Sequence, residues 1–156
     1  MTYFIDVQFA LDKPPAHVPG PATFSHWART ALREHADAAE LTVRVVDAAE
    51  MVQLNQDYRG KDGTTNVLSF PIEDLPDPEL ALLGDVVICA DVVAAEAAAQ
   101  RKPVEAHWAH MTVHGVLHLL GYDHINDDDA RLMEAREVKI LTSLGYTDPY
   151  LTMDTL

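Results

Sequence analysis

Three histidines in the stretch His114-Gly-Val-Leu-His118-Leu-Leu-Gly121-Tyr-Asp-His124 have the type and spacing to hold a metal ion. On an α-helix, residues four apart stand one above the other on the same face. His114 and His118 can therefore aim two imidazoles at one point. Gly121 allows the backbone to leave the helix in a left-handed turn that other residues adopt only at a cost. The returning chain would then offer His124 to the same point. Three imidazoles with a fourth position open is the usual layout of a catalytic zinc site, whereas a structural site closes with a fourth protein ligand, usually cysteine. This chain has one cysteine, Cys89. A single Zn²⁺ held in this way polarises carbonyl or phosphoryl oxygens and acidifies water. Three histidines also accept nickel or copper.

His107 and His110 continue the same helical stripe at 3- and 4-residue steps, so five of the eight histidines fall between 107 and 124. A catalytic site needs only three protein ligands, and these two are expected to be structural or to support the ligands by hydrogen bonds. Asp123 has two equal uses, a carboxylate toward the metal or its ligands and a cap on the turn after Gly121. The spacing H-x3-H-x2-G-x2-H is similar to that of the metzincin zinc peptidases. The glutamate that serves those peptidases as general base after the first histidine is Gly115 here. The metal geometry resembles theirs, and the reaction is expected to differ.

Arg59 stands in the polar turn Arg59-Gly-Lys-Asp-Gly63. A guanidinium can bind two phosphoryl oxygens at once and so oppose the charge that accumulates in phosphodiester cleavage. The plainer alternative is a surface arginine paired with Asp57 or Asp62, worth little in water. Ser69 and Thr65 form no recognisable serine–histidine–acid triad.

The elements that must position these groups follow from periodicity and punctuation. Residues 2–9 and 41–46 are rich in aromatic and β-branched residues and predict strands, as does 65–70, stopped by Pro71. Residues 72–83, with Pro76 and Pro78 among acids, predict an exposed loop; the apolar run 86–90 predicts a strand covered on both faces. Helices are expected over about 22–35, from Asp47 as a cap to Tyr58, from an Asp91 cap to Gln100, over 104–120, and from the Asp127–Asp129 run to Gly145. The tail 146–156 shows no pattern. The order β-α-β-α-β-β followed by three helices predicts an α+β fold: a small four-stranded mixed sheet packed with about five helices, the zinc site at the end of a central helix. Residues 1–156 are expected to form a single domain.

A net charge of −14 and one cysteine bound the function further. The charge argues against a protein that coats nucleic acid non-specifically, while leaving room for an RNA strand drawn into a local basic or metal-centred cleft. A lone cysteine excludes an internal disulfide framework and fits a reducing cytosol. No signal-peptide pattern opens the chain, and no apolar run approaches a membrane span of about 20 residues.

With Gly115 in view, His114–His124 resembles the signature of the YbeY family of bacterial endoribonucleases and ribosome-maturation factors. Leu54-Asn55, Tyr58-Arg59, Thr65-Asn-Val-Leu-Ser-Phe-Pro71 and Leu83-Gly84-Asp85 are similar to that family's other segments, in the same order. The similarity runs over roughly residues 40–145. Asn66 stands where the family usually has aspartate, and no role is assigned to it. The resemblance implies a metal-dependent endoribonuclease that prefers single strands, matures the 3′ end of small-subunit (16S) ribosomal RNA and takes part in ribosome quality control. It implies zinc at His114, His118 and His124, with Arg59 at the position of the family's functional arginine. It also implies three partners: the small ribosomal subunit, one of its proteins and a ribosome-assembly GTPase. The expected cytoplasmic location rests instead on the lone cysteine and the absence of a signal-peptide or membrane-span pattern. The expected chemistry is hydrolase chemistry with Arg59 and His114 as catalytic groups. The rivals are a non-catalytic assembly factor whose zinc stabilises a binding surface and, disfavoured by Gly115, a metallopeptidase.

Overall fold

The computed structural model describes residues 1–72, 81–123 and 125–151. Its elements run β1 (Thr2–Ala10), α1 (Pro21–Leu32), β2 (Ala38–Val46), α2 (Ala48–Arg59), β3 (Val67–Pro71), β4 (Leu82–Cys89), α3 (Ala90–Gln100), α4 (Val104–Leu119) and α5 (Asp127–Ser143). Among the described residues this is the expected α+β arrangement of four strands and five helices. The sheet order is β1-β2-β4-β3; β1, β2 and β4 are mutually parallel, and β3 returns antiparallel on the edge beside β4.

Strand alternation divides the core in two. Val43, Val45, Val86 and Ile88 face one way, into a large core with Phe24, Trp27 and Leu32 of α1 and Trp108, Val113 and Leu117 of α4. Val46, Val87, Cys89 and Leu68 face the other way, against Met51 of α2. Helix α4 is the central element: eleven of its residues are buried, and it packs on β3, β4, α1, α3 and α5. A helix so enclosed can present polar side chains only where a neighbour or a cleft receives them. The histidine stripe lies along such a line.

Three boundaries differ from expectation, each for a local reason. The third strand runs 67–71 rather than 65–70 and includes Pro71, which an edge strand tolerates because one side of its backbone needs no ladder partner. The fourth strand begins at Leu82, inside the expected loop, with an irregularity in its pairing: Glu40 pairs with Leu82 and Leu41 with Gly84. Gly84 has φ +135°, and a Cβ there would lie 2.1 Å from Phe70 O, so the close approach of β3 and β4 requires glycine. Residues 73–80 of the expected loop lie outside the described residues. Asp47 caps α2 as expected, accepting from Glu50 N (2.9 Å). Asp91 does not cap its own helix; it accepts from Ala48 N (3.0 Å) and so ties the start of α2 to α3.

Candidate metal centre

The stripe of histidines on α4 meets a single glutamate from α5. Glu137 is wholly buried and has two hydrogen bonds from imidazoles: His114 Nδ1–H donates to Oε1 (2.5 Å) and His110 Nε2–H donates to Oε2 (2.9 Å). The hydroxyl of Tyr150 also donates to Oε2. Burial by itself pushes the Glu137 carboxyl up. The hydrogen bonds and charges of His110 and His114 outweigh it and hold the group at about 2, so it stays ionised. Burial and the Glu137 carboxylate push the Tyr150 phenol well above its ordinary value, which keeps it a donor.

A carboxylate on Nδ1 fixes the tautomer of His114 and turns its Nε2 lone pair outward. His118, one turn further on, completes the pair, with the two Nε2 atoms 3.1 Å apart and the rings nearly perpendicular at 78°. A tetrahedral zinc with bonds of about 2.0–2.1 Å separates ligand nitrogens by about 3.3 Å. The pair therefore has the spacing of two ligands on one ion. His110, His114 and Glu137 also offer ligand atoms within 4.8 Å of one another. The Glu137 oxygens, however, are already taken by three donors in a fully buried position, which makes that group a support behind His114 and leaves the Nε2 pair facing outward.

At the C-terminus of α4 the chain leaves the helix at Gly121, with φ +102°, in the left-handed turn that its spacing predicts; Tyr122 N donates back to Leu117 O (3.0 Å). Tyr122 also anchors the turn through its hydroxyl, which lies 2.8 Å from His35 Nε2. His124, the third expected ligand, lies outside the described residues.

His114, His118, Gly121, Tyr122 and Asp123 line an open cleft of about 500 Å³. Arg59, Thr65, Asn66, Ser69 and Pro71 line the same cleft. Arg59 is the last residue of α2; Gly60 caps that helix with left-handed backbone, and Asn55 Nδ2 donates to Gly63 O (3.1 Å) to hold the following turn. Arg59 is exposed, and no ion pair to Asp57 or Asp62 occurs; Asp57 instead accepts from Gln53. Arg59 thus lines the same cleft as the two histidines.

Two substitutions noted in the sequence have physical reasons. A Cβ on Gly115 would lie 2.4 Å from Val86 Cγ1 in the buried sheet face, and Ser69 Oγ donates to Gly115 O (2.9 Å). Position 115 therefore faces the sheet and has no room for a catalytic glutamate. Gly115→Ala is expected to lower stability by about 2–3 kcal/mol, read as a lower denaturant midpoint. Adding Val86→Ala in the same chain should return part of that loss, and an unchanged midpoint in the single variant would contradict the clash. At position 66, Asn66 Nδ2 donates to both oxygens of Glu96 (3.1 and 3.4 Å), and Glu96 Oε1 also lies 3.0 Å from His107 Nε2. An aspartate there would set two carboxylates against each other; the amide replaces repulsion with a hydrogen bond. His107 accordingly serves this pair, and burial pushes its imidazole down.

Residues 17–145 match the family described as Endoribonuclease YbeY. The chain belongs to the YbeY family. Among solved structures, this YbeY family member shares its fold with TM1509 from Thermotoga maritima, determined in solution. The two are 22% identical with a TM-score of 0.64, over 95% of this chain and 99% of that one. The family match, over residues 17–145, includes Arg59, the histidine stretch and Glu137, but ends before Tyr150. Of the residues that the sequence singles out, His114, His118 and Arg59 line one cleft in the structure; the sequence pattern did not single out Glu137. Its signal was present, since Met133, Glu137, Ile140 and Leu141 share the buried face of α5, where an acid must have a partner. Among the described residues, no helix is long and apolar enough to cross a membrane.

Proposed function

We propose that this chain is a zinc-dependent endoribonuclease that prefers single strands and acts in 3′-end maturation of 16S ribosomal RNA and in ribosome quality control. The observation that carries the reading is the common cleft: an exposed arginine lines it together with two imidazoles whose Nε2 atoms stand at ligand spacing, 3.1 Å apart. His114 and His118 would hold one zinc, with His124 as third ligand on the strength of the sequence spacing. Bound there, zinc supplies Lewis acidity toward a phosphoryl oxygen. Glu137 holds His114 in the tautomer that presents Nε2 to the cleft, and His110 and Tyr150 hold Glu137. Arg59 binds the scissile phosphate and opposes the charge that develops on it. The cleft is open and about 500 Å³, which suits a strand whose bases are not held in a duplex.

Membership of an endoribonuclease family supports the reaction class. Gly115, enclosed by Val86, disfavours a peptidase that would need a base at that position. The reading carries with it a cytoplasmic location, a single domain over 1–156, and contacts with the small ribosomal subunit, one of its proteins and an assembly GTPase. The net charge of −14 favours a basic protein as the docking partner, and it is the one observation that favours a purely binding role.

The test compares zinc-loaded and chelator-stripped protein on single-stranded RNA, duplex RNA and casein. Cleavage of single-stranded RNA, lost on stripping and restored by Zn²⁺, with casein intact, is expected. RNA cleavage at an equal rate by the stripped protein would exclude the metal-dependent reading. No cleavage by the loaded protein would favour the assembly factor.

A further inference from the structure

The segment after α5 carries no pattern in the sequence and lies beyond the family match, which ends at residue 145. In the structure it runs back across the corner between α3 and α4. Tyr146 N donates to Leu141 O (2.9 Å), and the Tyr146 ring stands edge-on to Trp27, with centroids 6.3 Å apart. Lys102 Nζ donates to Pro149 O, and Tyr150 N donates to Asp148 Oδ1 (2.8 Å). These contacts bring Tyr150 over His110, ring edge to ring face, with centroids 5.4 Å apart and planes at 82°. Tyr150 is 45% exposed, yet its hydroxyl reaches a carboxylate with no exposure at all.

We propose that Tyr150 is a positioning residue for the metal centre: its hydroxyl fixes the Glu137 carboxylate and, through it, the orientation of His114. The proposal rests on the reading of His114 as a metal ligand. Glu137 Oε2 accepts from both His110 Nε2 and the Tyr150 hydroxyl, while Oε1 accepts from His114 Nδ1. Three donors on two oxygens leave the carboxylate one orientation. Without the hydroxyl, Oε2 keeps a single donor, and the plane of the carboxylate is set by His110 and His114 alone. The His114 ring then loses part of what holds Nδ1 protonated and Nε2 directed at the cleft. A partner bonded directly to a ligand histidine, as Glu137 is, typically contributes about 10–100-fold in metal affinity or activity, and Tyr150, one bond further out, is expected at the low end of that range.

The test uses the full chain as wild type, Tyr150→Phe and Tyr150→Ala. Zinc affinity is measured by competition with a chelating indicator, steady-state cleavage on single-stranded RNA, and the His114 ring by ¹H–¹⁵N NMR of metal-free protein. Tyr150→Phe keeps the ring and removes only the hydroxyl. It is expected to bind zinc about 10-fold more weakly, to lower kcat with KM for RNA unchanged, and to melt with the wild type. Its His114 Nδ1–H signal should shift or broaden, and Tyr150→Ala should behave at least as severely. Zinc affinity and His114 signals in Tyr150→Phe identical to the wild type would overturn the proposal, even with Tyr150→Ala impaired, because packing alone would then account for the tyrosine. A wild type that binds no zinc would sink the metal-centre reading. In that case the metal-free His114 signal still decides on Tyr150: a difference between wild type and Tyr150→Phe supports the coupling, and identical spectra end it.

Discussion

Replacing His118 with alanine is expected to give a folded protein that retains no zinc through dialysis and cuts single-stranded RNA at least ~100-fold more slowly. A lost partner behind a ligand costs about 10–100-fold, and loss of the ligand itself should cost no less. The fold should survive for three reasons. His118 is half-buried, with its ring lining the cleft. The apolar packing of that turn comes from Val116, Leu117 and Leu119. Alanine also has a higher helix propensity than histidine. Removing His118 takes away the nitrogen 3.1 Å from His114 Nε2 but leaves the hydrogen bond of His114 to Glu137 in place. Metal analysis, far-UV circular dichroism and cleavage rates on one preparation separate the cases. Wild-type cleavage by a zinc-free His118→Ala protein would mean that catalysis does not pass through this pair.

The contrast between what the sequence revealed and what it concealed follows the range of the interactions. The histidine pair is legible because i, i+4 spacing is a local property of any helix, and Gly121 lies within reach of the same pattern. Element order is legible for a similar reason: the alternation at Val43, Val45, Val86 and Ile88 and the helical spacing of Phe24, Trp27, Ala28, Ala31 and Leu32 are set within single elements. The start of β4 at Leu82 and the inclusion of Pro71 in β3 depend on which strand lies on the edge, a fact of the assembled sheet. Glu137 is 23 residues from its His114 partner and Tyr150 is 40 from His110. A pattern confined to one helix does not report such pairs, although an acid in line with Met133, Ile140 and Leu141 signals a buried charge in need of a donor. Gly115 is the intermediate case. Its lack of a side chain is plain in the sequence, whereas the reason, Val86 across the helix–sheet contact, exists only in three dimensions.

Arg59→Ala is expected to lower kcat on single-stranded RNA about 100-fold, the lower end of what removal of one preorganised donor to a developing oxyanion costs, while zinc content stays at the wild-type level. The separation of effects follows from the architecture. Arg59 comes from α2 and the histidines from α4, two separate elements that line one cleft, so the metal pair does not need Arg59 to form. The arginine is exposed at a helix end, where a cation also suits the helix dipole. Its replacement should therefore cost little stability, within about 0.5 kcal/mol for a surface site. Arg59→Lys should recover only part of the rate, because an ammonium keeps the charge without the planar fork that spans two phosphoryl oxygens. The pattern of the two variants discriminates between roles. A rise in KM with kcat unchanged in both would make Arg59 a ground-state phosphate contact. A fall in kcat that lysine restores in full would reduce its contribution to charge alone. A fall in kcat that lysine restores only in part, with zinc still bound, is the result that places a bidentate guanidinium against the phosphate as it reacts.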